Sequence, residues 1–147
     1  MSDPAGMVTF MRYHPWRHLR DHTHVTVETR AELPTGVDGF TDGTRIWLRR
    51  GLTQAQRRSV LAHELVHIER GTNHVSDREE AVVDSIAARR LVTFLDLHDA
   101  LRWSQGRVDD ETADWCWVDL RTIEARIESL TDAERAQLEQ LREEWAA

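Results

Sequence analysis

The chain has 147 residues, 26 acidic and 19 basic, for a net charge of −7 and a pI of about 5.6. That balance excludes a general nucleic-acid footprint, and the length fits one domain or one domain with a small appendage. The single cysteine, Cys116, cannot form an internal disulfide, and no stretch approaches the roughly 18 apolar residues of a membrane span, so the expectation is a soluble cytoplasmic protein.

Residues 1–10 show no period and read as a loose leader without an apolar signal core. Pro15-Trp16-Arg17-His18-Leu19 reads as the first turns of a helix with proline at N1. His14, His18 and His22 recur at i, i+4 and i+8 with His24 close behind, but no acidic or cysteine partner shares their face, so they read as solvated or capping histidines. Val25-Thr26-Val27 alternates as a strand, and Leu33-Pro34-Thr35-Gly36 breaks the chain. A hairpin follows, with Val37–Thr41 and Arg45–Leu48 flanking an Asp42-Gly43 turn that favours type I′ geometry.

Thr53-Gln54-Ala55-Gln56 is a capping box, and Gly71 stands where a left-handed residue would close the helix. The intervening segment carries an apolar stripe of Val60, Leu61, Leu65 and Ile68, and in its middle His63-Glu64-Leu65-Val66-His67 fits H-E-x-x-H. Composition alone would yield such a match roughly 0.04 times per chain of this length, and the helical flanks reduce the chance further. Histidines at i and i+4 leave one face of a helix, so their ring nitrogens can reach one Zn²⁺. Glu64 can hold the metal's water without ligating the metal.

A catalytic zinc takes three protein ligands. Ser76-Asp77-Arg78-Glu79 is a second capping box, opening a helix to about Val92 on which Glu80, Asp84, Ala87 and Leu91 share one face. Glu80 is the candidate third ligand. Its neighbour Glu79, as the N3 member of the capping box, is expected to be occupied with the Ser76 backbone. Asp84, one turn on, is placed to accept from the free ring nitrogen of a ligating histidine, and Ala87 and Ala88 allow close approach of the two helices.

HELVH followed by Glu80-x-x-x-Asp84-x-x-Ala87-Ala88-x-x-Leu91 resembles the ImmA/IrrE family of metallopeptidases, gluzincin-like regulators of phages and mobile elements. That family's second helix carries E-x-x-x-[ND]-x-F-A-A-x-L-L. This chain departs in Ile86 for the aromatic and in Arg90-Leu91-Val92 for the family's usual apolar pair and proline, positions of packing rather than of ligation. The match covers roughly residues 36–92. The resemblance implies an α+β fold with a small zincin-like core over residues 1–92, a short antiparallel sheet packed on two active-site helices. It also implies a zinc protease that cleaves a helix-turn-helix repressor, with His63 as the partner of Asp84 and the strand from Arg45 to Leu48 as a place for substrate to add as a strand, against plain core packing through Ile46 and Leu48.

Residues 93–147 read as a helical region packed on that core. Thr93 caps a helix through Trp103 that Gln105-Gly106 ends, Asp109–Trp117 is a second, and Asp119 caps a third in which Ile123, Ile127 and Leu130 recur. The turn at Val118-Asp119 gives a helix-turn-helix outline. Thr131-Asp132-Ala133-Glu134 caps a last helix with a Leu138, Leu141 and Trp145 stripe. Over 94–130 nine acidic residues face four arginines, a balance of −5 that opposes phosphate contact, so DNA binding is not expected. Trp103, Trp115 and Trp117 read as core. Every basic residue is Arg, which reads as codon bias.

Three functions compete. The first is a zinc endopeptidase with His63, His67 and Glu80 as ligands, Glu64 as the base, and Tyr13, His74 or Arg78 as possible oxyanion donors. The second is a binding regulator with a structural metal or none, in which Glu64 has no purpose. The third is an acidic helix-turn-helix DNA regulator.

Overall fold

Local signals place the helices closely. The computed structural model describes residues 12–72 and 76–146, so the leader and His74 lie outside the described residues. Helix α1 (Pro15–Leu19) precedes three strands, β1 (Thr26–Arg30), β2 (Gly39–Thr41) and β3 (Arg45–Arg49). Six helices follow: α2 (Gln54–Arg70), α3 (Asp77–Leu91), α4 (Phe94–Ser104), α5 (Asp110–Trp115), α6 (Leu120–Glu128) and α7 (Asp132–Ala146). The fold is α+β, and among the described residues no helix is long and apolar enough to cross a membrane.

Both ends of α2 are built by its sequence. Thr53 Oγ1 accepts from the Gln56 amide at 3.1 Å while Gln56 Oε1 accepts from the Thr53 amide at 2.9 Å. Gly71 adopts the left-handed conformation at φ 67°, and the chain reverses through Thr72 N–H to His67 O at 2.9 Å. The helix is covered on two sides. Leu61 and Leu65 meet Val25, Ile46 and Leu48 of the sheet region, while Ala62 and Val66 join an apolar cluster with Val83, Ala87, Leu97 and Ile123. That cluster draws on both sides of residue 92.

The sheet corrects the expected pairing. Its order is β1-β3-β2, with β1 parallel to β3 and β2 antiparallel to it, so it is mixed rather than antiparallel. Strand alternation fixes which side chains face inward but not the direction of a partner; the 31–38 loop decides that by carrying the chain past β3. Arg49 pins this loop by donating to the carbonyls of Pro34 and Val37, each at 2.7 Å. A consequence is that β3, expected to offer an edge, is the central strand, with Ile46 and Leu48 fully buried. Among the described residues, the edge strand beside α2 is β2. The hairpin turn shifts by one residue as well. Thr41 pairs with Ile46, leaving Gly43 and Thr44 central, and Gly43 alone takes positive φ, which excludes type I′; Asp42 Oδ1 accepts from the Thr44 and Arg45 amides at 2.9 and 2.8 Å.

Two further expectations fail. Trp103, Trp115 and Trp117 are exposed by 49%, 45% and 61% respectively, not core. Trp103 and Trp115 stack on each other outside, and the Trp117 backbone turns inward to give its carbonyl to Arg58 at 3.0 Å, which sends the indole outward. Glu79 does not complete the second capping box, because its carboxylate goes to Arg70 and Thr72. The last helix behaves as expected, with the Thr131–Glu134 box formed and Leu141 buried.

Helix α7 is latched by charge. Arg126, 2% exposed, donates to Val92 O at 2.7 Å and to Glu134 Oε2 at 2.9 Å. The Arg126 guanidinium, with the Thr131 amide, holds the Glu134 carboxyl down at about 2. A carboxyl depressed in the folded state contributes stability above its ordinary value of 4.5, lost as pH falls towards 2. Glu134→Gln is expected to cost about 2–3 kcal/mol at pH 7, as for a buried charge left with a neutral partner. In urea titrations the gap to the parent should close between pH 4.5 and 2; a constant gap would remove the charge from the account.

Candidate metal centre

Helix periodicity brings His63 and His67 to one side of α2 with their Nε2 atoms 3.2 Å apart. Helix α3 crosses α2 at Ala87 and Ala88, both buried, and lays Glu80 against this pair. Glu80 Oε2 lies 3.0 Å from His63 Nε2, and Oε1 lies 2.8 Å from His67 Nε2. The three side chains therefore converge on one point. Tetrahedral zinc with bonds of about 2.0–2.1 Å needs donor separations near 3.4 Å, so two imidazoles and a carboxylate at 2.8–3.2 Å fit it with small outward movement.

The other ring nitrogens are also taken. His63 Nδ1 meets Asp84 Oδ1 at 2.8 Å, and Arg121 Nη2 donates to Asp84 Oδ2 at 3.0 Å. His67 Nδ1 meets Thr72 Oγ1 at 3.1 Å, Thr72 reaches Glu79 at 3.3 Å, and Arg70 clasps Glu79 at 2.6 and 3.2 Å. Each imidazole is thus oriented by an oxygen, one steadied directly by Arg121 and the other through Glu79, which Arg70 holds. Burial opposes charge on His63, yet the carboxylates of Asp84 and Glu80 outweigh it and lift the ring to about 9 in the metal-free protein. Burial pushes Glu64 up to about 7, with His63 and Arg121 pulling it down and Glu80 adding to the rise.

These groups open on a cleft of about 290 Å³. Residues 36–39 form one wall, the start of α6 with Asp119 and Arg121 the other, and His63, Glu64 and Glu80 the floor. Of the five residues singled out in sequence, His63, Glu64, Glu80 and Asp84 line the cleft, and His67 is fully buried behind Glu80. Two supports escaped the sequence reading. Thr72 was signalled only by the Gly71 stop, which folds it back over His67. Arg121 comes from a helix whose placement on α3 no local pattern encodes. Of the oxyanion candidates, neither Tyr13 nor Arg78 lines this cleft, and Tyr13 is turned to His18 at 2.6 Å.

No protein-family model matches the chain, and no curated protein or solved structure gives a match either. The chemistry of the site rests on its own geometry.

His63→Ala, His67→Ala and Glu80→Ala are each expected to remove one zinc equivalent, read by elemental analysis. Glu79→Ala should keep the stoichiometry; loss with Glu79→Ala and retention with Glu80→Ala would move the ligand by one residue. Asp84→Ala should weaken zinc retention about 10–100-fold in chelator competition without unfolding the chain. Unchanged affinity would reduce Asp84 to a surface ion-pair partner of Arg121.

Proposed function

We propose that this chain is a zinc-dependent endopeptidase of the gluzincin type, with α2, α3 and the sheet as a zincin-like core. The observation that carries the reading is the convergence of His63, His67 and Glu80 with Glu64 buried beside them at 1% exposure. A structural zinc site has no use for a fourth, non-ligating carboxylate beside the metal; a hydrolytic one does.

His63 and His67 would hold the metal through Nε2 and Glu80 through its carboxylate. When bound, zinc supplies Lewis acidity, which acidifies a water and polarises a carbonyl. Glu64 takes the proton from the attacking water and returns it to the leaving amine, a role that suits a buried carboxyl beside the ligands that does not itself join them. Asp84 and Thr72 keep the imidazoles in register through these steps. The edge of β2 runs into the 36–39 wall, so an extended peptide could add there as a strand, its backbone bonded to Gly39–Thr41 and its scissile bond over Glu64. In this role β2 replaces β3.

The resemblance to ImmA/IrrE peptidases supports a helix-turn-helix repressor as the protein substrate. The helix-turn-helix outline over α5 and α6, which rests on the turn at Val118-Asp119 and not on that resemblance, serves as a docking or structural region rather than a DNA reader. The two arginines of α6 are each paired with an acid, exposed Arg121 with Asp84 and buried Arg126 with Glu134.

Glu64→Gln separates chemistry from binding. It keeps the side chain's size and removes its basicity, so cleavage of a co-expressed repressor from the neighbouring locus should fall at least about 100-fold while zinc content stays normal. A Glu64→Gln protein that still relieves repression, with no cut in the repressor, would make this a binding regulator instead.

A further inference from the structure

The histidines near the amino end gain the acidic partner that their own face lacks. His18 lies on α1, and His22 sits one turn further, where the chain continues to coil through His22 N–H to Leu19 O at 3.0 Å. Their rings are 5.3 Å apart. Helix α2 brings Glu69 to the same place, with Oε2 3.8 Å from His18 Nε2. One ligand atom from each of His18, His22 and Glu69 lies within 4.8 Å of the other two.

The arrangement is poor as a hydrogen-bonded cluster and suitable as a cation site. A separation of 3.8 Å is beyond hydrogen-bond reach, whereas two metal bonds of about 2.0–2.2 Å bridge it. The supporting bonds leave the right atoms turned inward. Arg90 clasps the Glu69 carboxylate, Nη1 donating to Oε1 at 2.7 Å and Nη2 more loosely to Oε2 at 3.4 Å, and this holds it with Oε2 towards His18. The Tyr13 hydroxyl occupies His18 Nδ1 at 2.6 Å, which leaves Nε2. The Tyr13 oxygen can accept from a protonated Nδ1, and Nε2 then gives its lone pair to a metal. Two imidazoles and one carboxylate suit a borderline divalent ion and disfavour magnesium or calcium.

We propose that His18, His22 and Glu69 form a second zinc-class cation site, separate from the HELVH centre, that clamps α1 onto the end of α2. A five-residue helix is too short to hold itself; α1 already packs on the core through Leu19 and on Arg57 through Trp16, and the ion would add to those contacts. Glu69 follows His67 by two residues and leaves α2 on another flank, so one helix serves both sites.

The test uses the full-length protein, stripped of metal, reloaded with zinc and freed of excess. The parent should carry two equivalents, and His22→Asn, Glu69→Gln and His63→Ala should each carry one. His22→Asn combined with His63→Ala should carry none. Zinc should also raise the melting temperature of His63→Ala but not of the combined variant. His22 is half-exposed, so His22→Asn keeps the test intact if Glu69→Gln disturbs the Arg90 pair and unfolds. Two equivalents in His22→Asn would overturn the site, as would a parent with one equivalent that His63→Ala abolishes. A parent with one equivalent that survives His63→Ala and is lost in His22→Asn would sink the HELVH reading and leave this site standing.

Discussion

The orientation of two imidazole rings governs everything else at this centre. A histidine can present Nε2 to a metal only if something fixes the proton and the ring plane at Nδ1. Here Asp84 does this for His63 and Thr72 for His67, at 2.8 and 3.1 Å. The two supports come from different elements, one from α3 and one from the turn that ends α2. Their own anchors, Arg121 and Arg70, come from α6 and from α2 itself. The helix carrying the motif is therefore only part of the device, and three helices must be packed before both rings face Glu80.

Arginine usage fits the same logic. Sequence composition suggested that the absence of lysine was a matter of codons, but the guanidinium forks are used structurally. Arg58, 7% exposed, reaches the carbonyls of Cys116, Trp117, Tyr13 and Leu91, joining the amino-terminal segment, the end of α3 and the turn before α6. Arg49 does the same for the loop that walls the cleft. A lysine ammonium presents a point charge and cannot span several carbonyls in this manner.

The legible part of the molecule was local. Capping boxes at Thr53 and Thr131, the Gly71 stop and the i, i+4 histidines each act within one or two turns, so their sequence spacing already contains their geometry. Glu80 and Asp84 were reachable because helix periodicity puts them on one face and α3 follows α2 directly. What escaped depends on contacts between distant segments. The parallel pairing of β1 with β3, the arrival of Arg121 beside Asp84 and of Glu69 beside His18 all follow from tertiary placement. The tryptophans misled for a related reason. Size and hydrophobicity argue for burial, but α4 turns Leu97, Ala100 and Leu101 inward and leaves Trp103 on the opposite face. At Glu79 two bonds competed, and a charged partner in Arg70 won over the Ser76 amide.

Gly39 has a bearing on how the cleft measures its contents. A side-chain carbon there would collide with Val60 Cγ1 and stand 3.5 Å from Cγ of Glu64. Strand β2 can sit this close to α2 only because residue 39 ends in a hydrogen atom. The gap between a backbone edge and a carboxylate is thus a fixed gauge, held by two rigid elements and not by a loop. The spacing between the β2 backbone and the Glu64 side chain is therefore set by the packing of strand on helix.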